Sequence, residues 1–178
     1  MRVISGKYKG KNLIGFNIDG TRPTMDRVKE SLFGMIQNHI KNSVVLDLFA
    51  GSGSLGIEAI SNGAAKCYFI DNNIELINII KTNTSNMNDD IDILKMDYKN
   101  ALELFKNSNI KFDIIFLDPP YKLNLINDCL NKIVEYNLLS KNGIVICEYE
   151  GELVDNNTLE LIKNKKYGSK NVKIYTCK

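Results

Sequence analysis

The chain has 178 residues, 44% of them hydrophobic and 25% charged, the proportions of a soluble globular protein that buries roughly 70% of its unfolded surface in one core. No apolar run approaches the ~20 residues needed to cross a bilayer, and no signal-peptide core follows Met1, so neither a membrane nor a secreted protein is expected. Four scattered cysteines, Cys67, Cys129, Cys147 and Cys177, form no C-x-x-C pair and read as reduced thiols of a cytoplasmic protein rather than as a zinc site.

Net charge is +2 but uneven. Residues 1–41 hold eight Lys/Arg against three acids, and the rest of the chain holds fifteen against eighteen. A basic arm on a mildly acidic body points to a phosphate-bearing partner. In that arm, residues 2–5 and 11–14 alternate around Gly6 and Gly10 and predict a short hairpin with a basic tip. A turn at Thr21-Arg22-Pro23-Thr24 precedes a helix starting near Thr24 or Met25, with Val28, Leu32, Met35 and Ile36 at helical spacing. His39 closes that helix, where a cation is favoured, and has a bland role.

From Val44 the pattern becomes strand, helix, strand, helix. Strands are predicted at Val44–Phe49, Lys66–Ile70, Ile91–Met96, Phe112–Leu117 and Gly143–Tyr149. Helices are predicted at Leu55–Ile60, Ile74–Asn83, Ala101–Phe105 and Leu125–Tyr136. The tail offers a helix or loop at Leu159–Lys163 and a last strand at Lys170–Thr176. Short apolar strands alternating with helices imply a parallel sheet covered on both faces. We expect one α/β domain over 1–178, with 1–41 as an extension and 42–178 as the core.

Two constellations carry chemistry. The first runs Asp47-Leu48-Phe49-Ala50-Gly51-Ser52-Gly53-Ser54-Leu55-Gly56, with Asp71 about 20 residues beyond Gly51 at the next strand end. Glycines allow a tight strand-to-helix turn and close approach to a ligand, and the later acid suits ribose hydroxyls. Gly51, Gly53 and Gly56 satisfy G-x-G-x-x-G, so a dinucleotide is one reading. Against it, Asp47 would repel a pyrophosphate but attract an ammonium group, and Asp97 adds an acceptor for an adenine amine. A cradle of carboxylates favours S-adenosylmethionine, which has no phosphate.

The second is Asp118-Pro119-Pro120-Tyr121 at the end of an apolar strand. Asp118 can accept a hydrogen bond from an exocyclic amine. Neither proline offers an N–H, so the loop presents carbonyl acceptors. Tyr121 can stack on a planar base.

Together these motifs resemble the class I S-adenosylmethionine-dependent methyltransferases of exocyclic amines, whose fold is Rossmann-like with a mostly parallel seven-stranded sheet. The front of the chain narrows the likeness. Arg2-Val3-Ile4-Ser5-Gly6-Lys7-Tyr8-Lys9-Gly10, Thr21-Arg22-Pro23-Thr24 and Asp26-Arg27-Val28-Lys29-Glu30-Ser31-Leu32-Phe33 are similar to the RsmD family, and the likeness spans essentially the whole chain. That resemblance implies methyl transfer to the 2-amino group of a guanine in 16S ribosomal RNA, within a 30S subunit or assembly intermediate, by a monomer without a metal. It implies a donor site of Asp47, Phe49, Ala50, Gly51, Ser52, Gly53, Asp71, Asn72, Asp97 and Tyr98. Asp118 and the Pro119 carbonyl would hold the amine, with Tyr121 stacked on the ring. Arg2, Lys7, Lys9, Lys11, Arg22, Thr24 and Arg27 would meet RNA. Two departures stand out: Asp71 where the family commonly has glutamate, and Tyr121 where it often has phenylalanine. The alternatives are a DNA adenine or cytosine amino-methyltransferase, a protein glutamine methyltransferase, a dinucleotide oxidoreductase, and a catalytically silent RNA-binding domain.

Overall fold

The computed structural model describes residues 1–15, 22–119, 123–151 and 157–178. In chain order the elements are α1 (Arg22–Ile40), β1 (Val44–Asp47), α2 (Ser54–Ser61), β2 (Lys66–Asp71), α3 (Ile74–Thr84), β3 (Asp90–Lys95), α4 (Tyr98–Asn107), β4 (Phe112–Leu117), α5 (Leu123–Glu135), β5 (Leu139–Glu150), β6 (Leu159–Tyr167) and β7 (Lys170–Cys177). The strands form one sheet in the order β3-β2-β1-β4-β5-β7-β6. β1 to β5 are parallel, and β7 runs antiparallel between β5 and β6. This is the expected α/β architecture.

Alternation along each strand sends successive side chains to opposite faces. Val45, Phe69, Phe116, Ile146 and Ile174 join one core with Leu32, Phe33 and Ile36 of α1, Ile57 and Ile60 of α2, and Ile77 and Ile80 of α3. Leu46, Ile70, Leu117, Val145 and Tyr175 join the other with Leu102 and Phe105 of α4 and Leu130 and Ile133 of α5. The chain therefore switches faces between β1 and β4, which leaves a crevice at their carboxyl ends.

α1 begins at Arg22, slightly ahead of the expected start, and buries Val28, Leu32, Phe33, Ile36 and Ile40. It ends where Asn42 takes φ 62° and donates its N–H to the Gly63 carbonyl. The expected hairpin is reduced to one antiparallel bridge, Arg2 to Asn12. Backbone hydrogen bonds between Val3 and Lys11, Gly10 and Val3, and Leu13 and Met1 still close it, Val3 and Leu13 enter the core, and polar contacts to α2 fix it in place. Glu58, fully buried, accepts from the N–H groups of Ile4 (2.9 Å) and Ser5 (2.8 Å) and pairs with Lys29 at 3.0 Å. At Gly6, φ is +77° and an added Cβ would lie 1.9 Å from the Ser61 carbonyl oxygen. Only glycine fits there.

Leu159–Lys163 is strand, not helix or loop. β6 is an outer strand exposed at seven consecutive positions, and its register slips between Leu161 and Lys163. That slip breaks the two-residue alternation that marks a strand in sequence.

Candidate active site

β1 ends in Asp47, which is 2% exposed and accepts a 3.0 Å hydrogen bond from the Gly56 N–H. An added Cβ on Gly56 would lie 2.3 Å from the Phe69 ring, so glycine is what lets α2 sit close against β2. Between them the chain turns through Gly51 (φ 56°) and Gly53 (φ 79°). The turn is tied to β2: the Ala50 N–H donates to the Ile70 carbonyl (2.9 Å) and the Gly51 N–H to Asp71 Oδ2 (3.0 Å). The other oxygen of Asp71 accepts from Asn73 N–H at 2.9 Å. Asp71 thus shapes the loop, each of its oxygens accepting one backbone N–H. Burial pushes the Asp47 carboxyl up to about 7; the Gly56 N–H pulls it down and Asp71 raises it further.

Across the loop, Phe49 and Tyr98 place their ring centroids 5.6 Å apart. The Tyr98 hydroxyl donates to Asp128 Oδ2 at 2.9 Å, and burial together with that bond pushes the phenol well up. Asp97 caps α4 by accepting the Lys99 N–H at 2.8 Å. Ser52 and Gly53 are buried, and Asn72 is exposed. The structure therefore brings Asp47, Phe49, Ala50, Gly51, Ser52, Gly53, Asp71, Asn72, Asp97 and Tyr98 around the carboxyl ends of β1, β2 and β3. This set contains three carboxylates and no cation. It fits a ligand with an ammonium group, ribose hydroxyls and an aromatic amine better than a pyrophosphate.

Asp118 follows the last residue of β4, and β4 lies beside β1, so its carboxylate shares the crevice with Asp47. Asp118 is exposed at the crevice mouth, although the protein around its carboxyl still shields it from much of the solvent, and the next residue, Pro119, is buried. Burial pushes the Asp118 carboxyl up, the Glu148 and Asp47 carboxylates push in the same direction, and Lys170 pulls it back. Among the described residues no hydrogen bond reaches it. Pro120 and Tyr121 lie outside the described residues, as do the side chains of Arg22 and Thr24.

The expected RNA-contacting residues are split. Arg2 pairs with Asp26 at 3.3 Å, near the start of α1, and Arg27 is exposed on the same stretch of that helix. Lys29, two residues on, bonds Ser54 at the start of α2, so this group borders the crevice. The arm's tip lies elsewhere. The Lys7 N–H bonds the Ser61 carbonyl at the far end of α2, and the Lys7 ammonium pairs with Asp89, just before β3. Tyr8 also donates to Asp89 (2.6 Å), with Lys7 and Lys11 over its ring. Lys7, Tyr8 and exposed Lys9 therefore sit at the amino edge of the parallel strands. The six residues of β2 set that edge roughly 20 Å from the crevice.

Three elements went unread in the sequence. Glu148 on β5 is 8% exposed and pairs with Lys170 at the start of β7. Asp128 is the partner of Tyr98. Residues 159–178 carry six lysines against one acid, a second basic segment hidden in an acidic average. Counting charge by segment would have found the last; the other two need the register.

The family model described as Conserved hypothetical protein 95 matches residues 1–176. A proposed rRNA methyltransferase of Bacillus subtilis is 39% identical over 180 residues, covering 98% of each chain. The Ribosomal RNA small subunit methyltransferase D of Haemophilus influenzae is 34% identical over 179 residues, covering 98% of this chain and 93% of its own. The solved structure of a proposed methyltransferase from Escherichia coli superposes with a TM-score of 0.86 at 25% identity, covering 100% of this chain and 98% of that one.

Proposed function

Because the chain belongs to the RsmD family, we propose that it transfers a methyl group from S-adenosylmethionine to the exocyclic 2-amino group of a guanine in small-subunit ribosomal RNA. The observation that carries this reading is Asp118, held beside buried Asp47 at the face switch of the sheet and next to a cradle of carboxylates. When bound, S-adenosylmethionine supplies a methyl group on a sulfonium, with a neutral thioether as leaving group.

The protein's own task is alignment. Asp47 attracts the donor's ammonium group, Asp71 takes the ribose hydroxyls, and Asp97 with the Phe49 and Tyr98 rings borders the adenine. Asp118 accepts one amine hydrogen and the Pro119 carbonyl the other, so the nitrogen becomes more tetrahedral and its lone pair turns toward the methyl carbon. The N–C bond forms as the C–S bond breaks, and the amine proton passes to Asp118 or to water. Orientation of this kind supplies about 7–11 kcal/mol. The base enters unstacked, at a cost of a few kcal/mol that phosphate contacts offset. Tyr121 stacks on it in this reading, and Arg2, Arg22, Thr24 and Arg27 meet the backbone nearby.

The test is transfer of labelled methyl groups into unmodified 30S particles, naked 16S RNA, DNA and protein, followed by nucleoside analysis. N2-methylguanosine in RNA, formed best on the particle by a monomeric enzyme, is the expected product. Label in DNA or protein alone would overturn the reading.

A further inference from the structure

Glu148 is buried at the carboxyl end of β5, and nothing in the reaction described above uses it. Its place is fixed by register. Leu117 of β4 pairs with Cys147 of β5, so the next residues along, Asp118 and Glu148, are neighbours on strands about 4.8 Å apart. They also share a face: Phe116 and Ile146, two residues earlier on each strand, both join the core beneath α1. On the next strand Val172 pairs with Glu148 and joins the same core. Lys170, two residues before Val172, therefore points to that face too, and its ammonium meets the Glu148 carboxylate. The Glu148 side chain is 10% exposed and that of Lys170 35% exposed, so the pair opens toward the crevice through its cation. Glu150, the residue paired with Lys170 across the strands, instead accepts the Ser169 hydroxyl at 3.2 Å.

A half-buried ion pair is a poor device for stability alone, because desolvation and solvent screening offset most of the attraction. Here it stands beside the carboxylate assigned to the reacting amine. The three groups run acceptor, acceptor, donor: Asp118, Glu148, Lys170. Guanine's Watson–Crick edge runs donor, donor, acceptor: the 2-amino group, N1–H and O6. Adenine and cytosine each place a ring-nitrogen lone pair next to their amine, and this would face the Glu148 carboxylate without a proton between them. Enzymes that extract a base read it along this edge.

Resting on the guanine reading above, we infer that Glu148 and Lys170 are the specificity residues of the site, Glu148 accepting the N1–H and Lys170 donating to O6. The ion pair holds both side chains in place before the base arrives. Guanine enters between them without leaving either charge unsolvated, whereas a base with the wrong edge leaves Glu148 against a lone pair.

The test uses a synthetic RNA fragment spanning the methylated nucleotide mapped with the wild-type enzyme, made either with guanosine or with 2-aminopurine riboside at that position. 2-Aminopurine keeps the 2-amino group but has a bare N1 and no O6. Wild-type kcat/KM should favour guanosine by roughly 10- to 100-fold, the discrimination of one good bidentate base contact. Glu148→Gln offers an amide N–H to the bare N1, so the ratio should fall about tenfold or invert. Lys170→Met, an independent variant should Glu148→Gln fail to fold, should slow guanosine about tenfold and leave 2-aminopurine within about twofold, since only guanine has O6. A merely structural pair would slow both substrates equally, and an unchanged ratio in either variant overturns the inference. Wild-type methylation at another atom or another base would instead defeat the guanine reading, so the two failures are distinguishable.

Discussion

The acids at the amino edge of the parallel sheet are partnered differently from the two that close β1 and follow β4 at the carboxyl edge. At the amino edge polar groups are heavily partnered. Lys66 pairs with both Asp90 and Asp92, Asp113 takes the Val44 N–H and the Ser140 hydroxyl, and Asp89 holds Lys7 and Tyr8. Along the neighbouring seam of arm, α1 and α2, Glu58 takes four N–H and O–H donors besides Lys29. At the carboxyl edge Asp47 has a single backbone donor, and none of the described residues bonds Asp118. Groups already satisfied hold the fold together. Groups left wanting a partner are available to a substrate, and burial lifts their proton affinity.

That contrast breaks most visibly at the reacting carboxylate. Asp118→Ala should lower kcat roughly 10²- to 10⁴-fold while calorimetry shows donor binding intact; Asp89→Ala, at the other edge, should leave kcat within about twofold. A near-wild-type rate in Asp118→Ala would sink the assignment. The same carboxylate should give kcat/KM an acidic limb above the ordinary carboxylate range, because its folded-state value is raised and only the anion accepts the amine hydrogen.

Next in size is the seam. Glu58→Ala strands the Lys29 ammonium, 7% exposed, and releases the arm; urea unfolding should show a loss of about 3–5 kcal/mol. A loss below about 1 kcal/mol would mean the arm is held by other contacts.

Asp47 sharpens the comparison by opposing stability to binding. Its carboxyl is raised from 3.8 to about 7 in the fold, so the stability tied to its neutral form is complete below pH ~4 and is lost as pH rises toward 7. Asp47→Asn should therefore melt at the same or higher temperature than wild type at pH 8, yet bind the donor about tenfold more weakly. Wild-type donor binding below pH 7 should release a proton, visible as a buffer-dependent calorimetric enthalpy. A lower melting temperature for Asp47→Asn at pH 8 would contradict the sign.

The smallest effect concerns the arm's tip. Replacing Lys7, Lys9 and Lys11 with alanine should flatten the salt dependence of RNA binding by about 0.7–0.9 per lysine that touches phosphate. An unchanged slope would place the RNA path wholly along the carboxyl edge.

Much of this architecture is legible in the amino-acid sequence. Apolar strands alternating with helices dictate a doubly covered parallel sheet, and acids at the ends of β1, β2 and β4 mark its working edge. Three features were not legible, each for a physical reason. The Leu159–Tyr167 strand carries a register slip and no buried face, so it lacks the period that identifies strands. Val3 and Leu13 anchor the arm in the core, but its tip is oriented through Glu58 and Ser61, polar contacts without sequence periodicity, so nothing along the chain shows that Lys7 faces away from the crevice. Glu148 is one acid among many along the chain, and only the pairing of its strand with Val172 and its proximity to Asp118 give it neighbours.

The outermost strand has one more consequence. Among the described residues β6 leaves a rim of backbone donors and acceptors without a neighbouring strand, flanked by exposed Leu161 and Ile162, which is the kind of template on which proteins polymerise. Its register slip and the ammonium groups of Lys163, Lys165 and Lys166 make that rim uneven and mutually repelling. The chain is thereby protected from being lengthened into a fibre by its own copies.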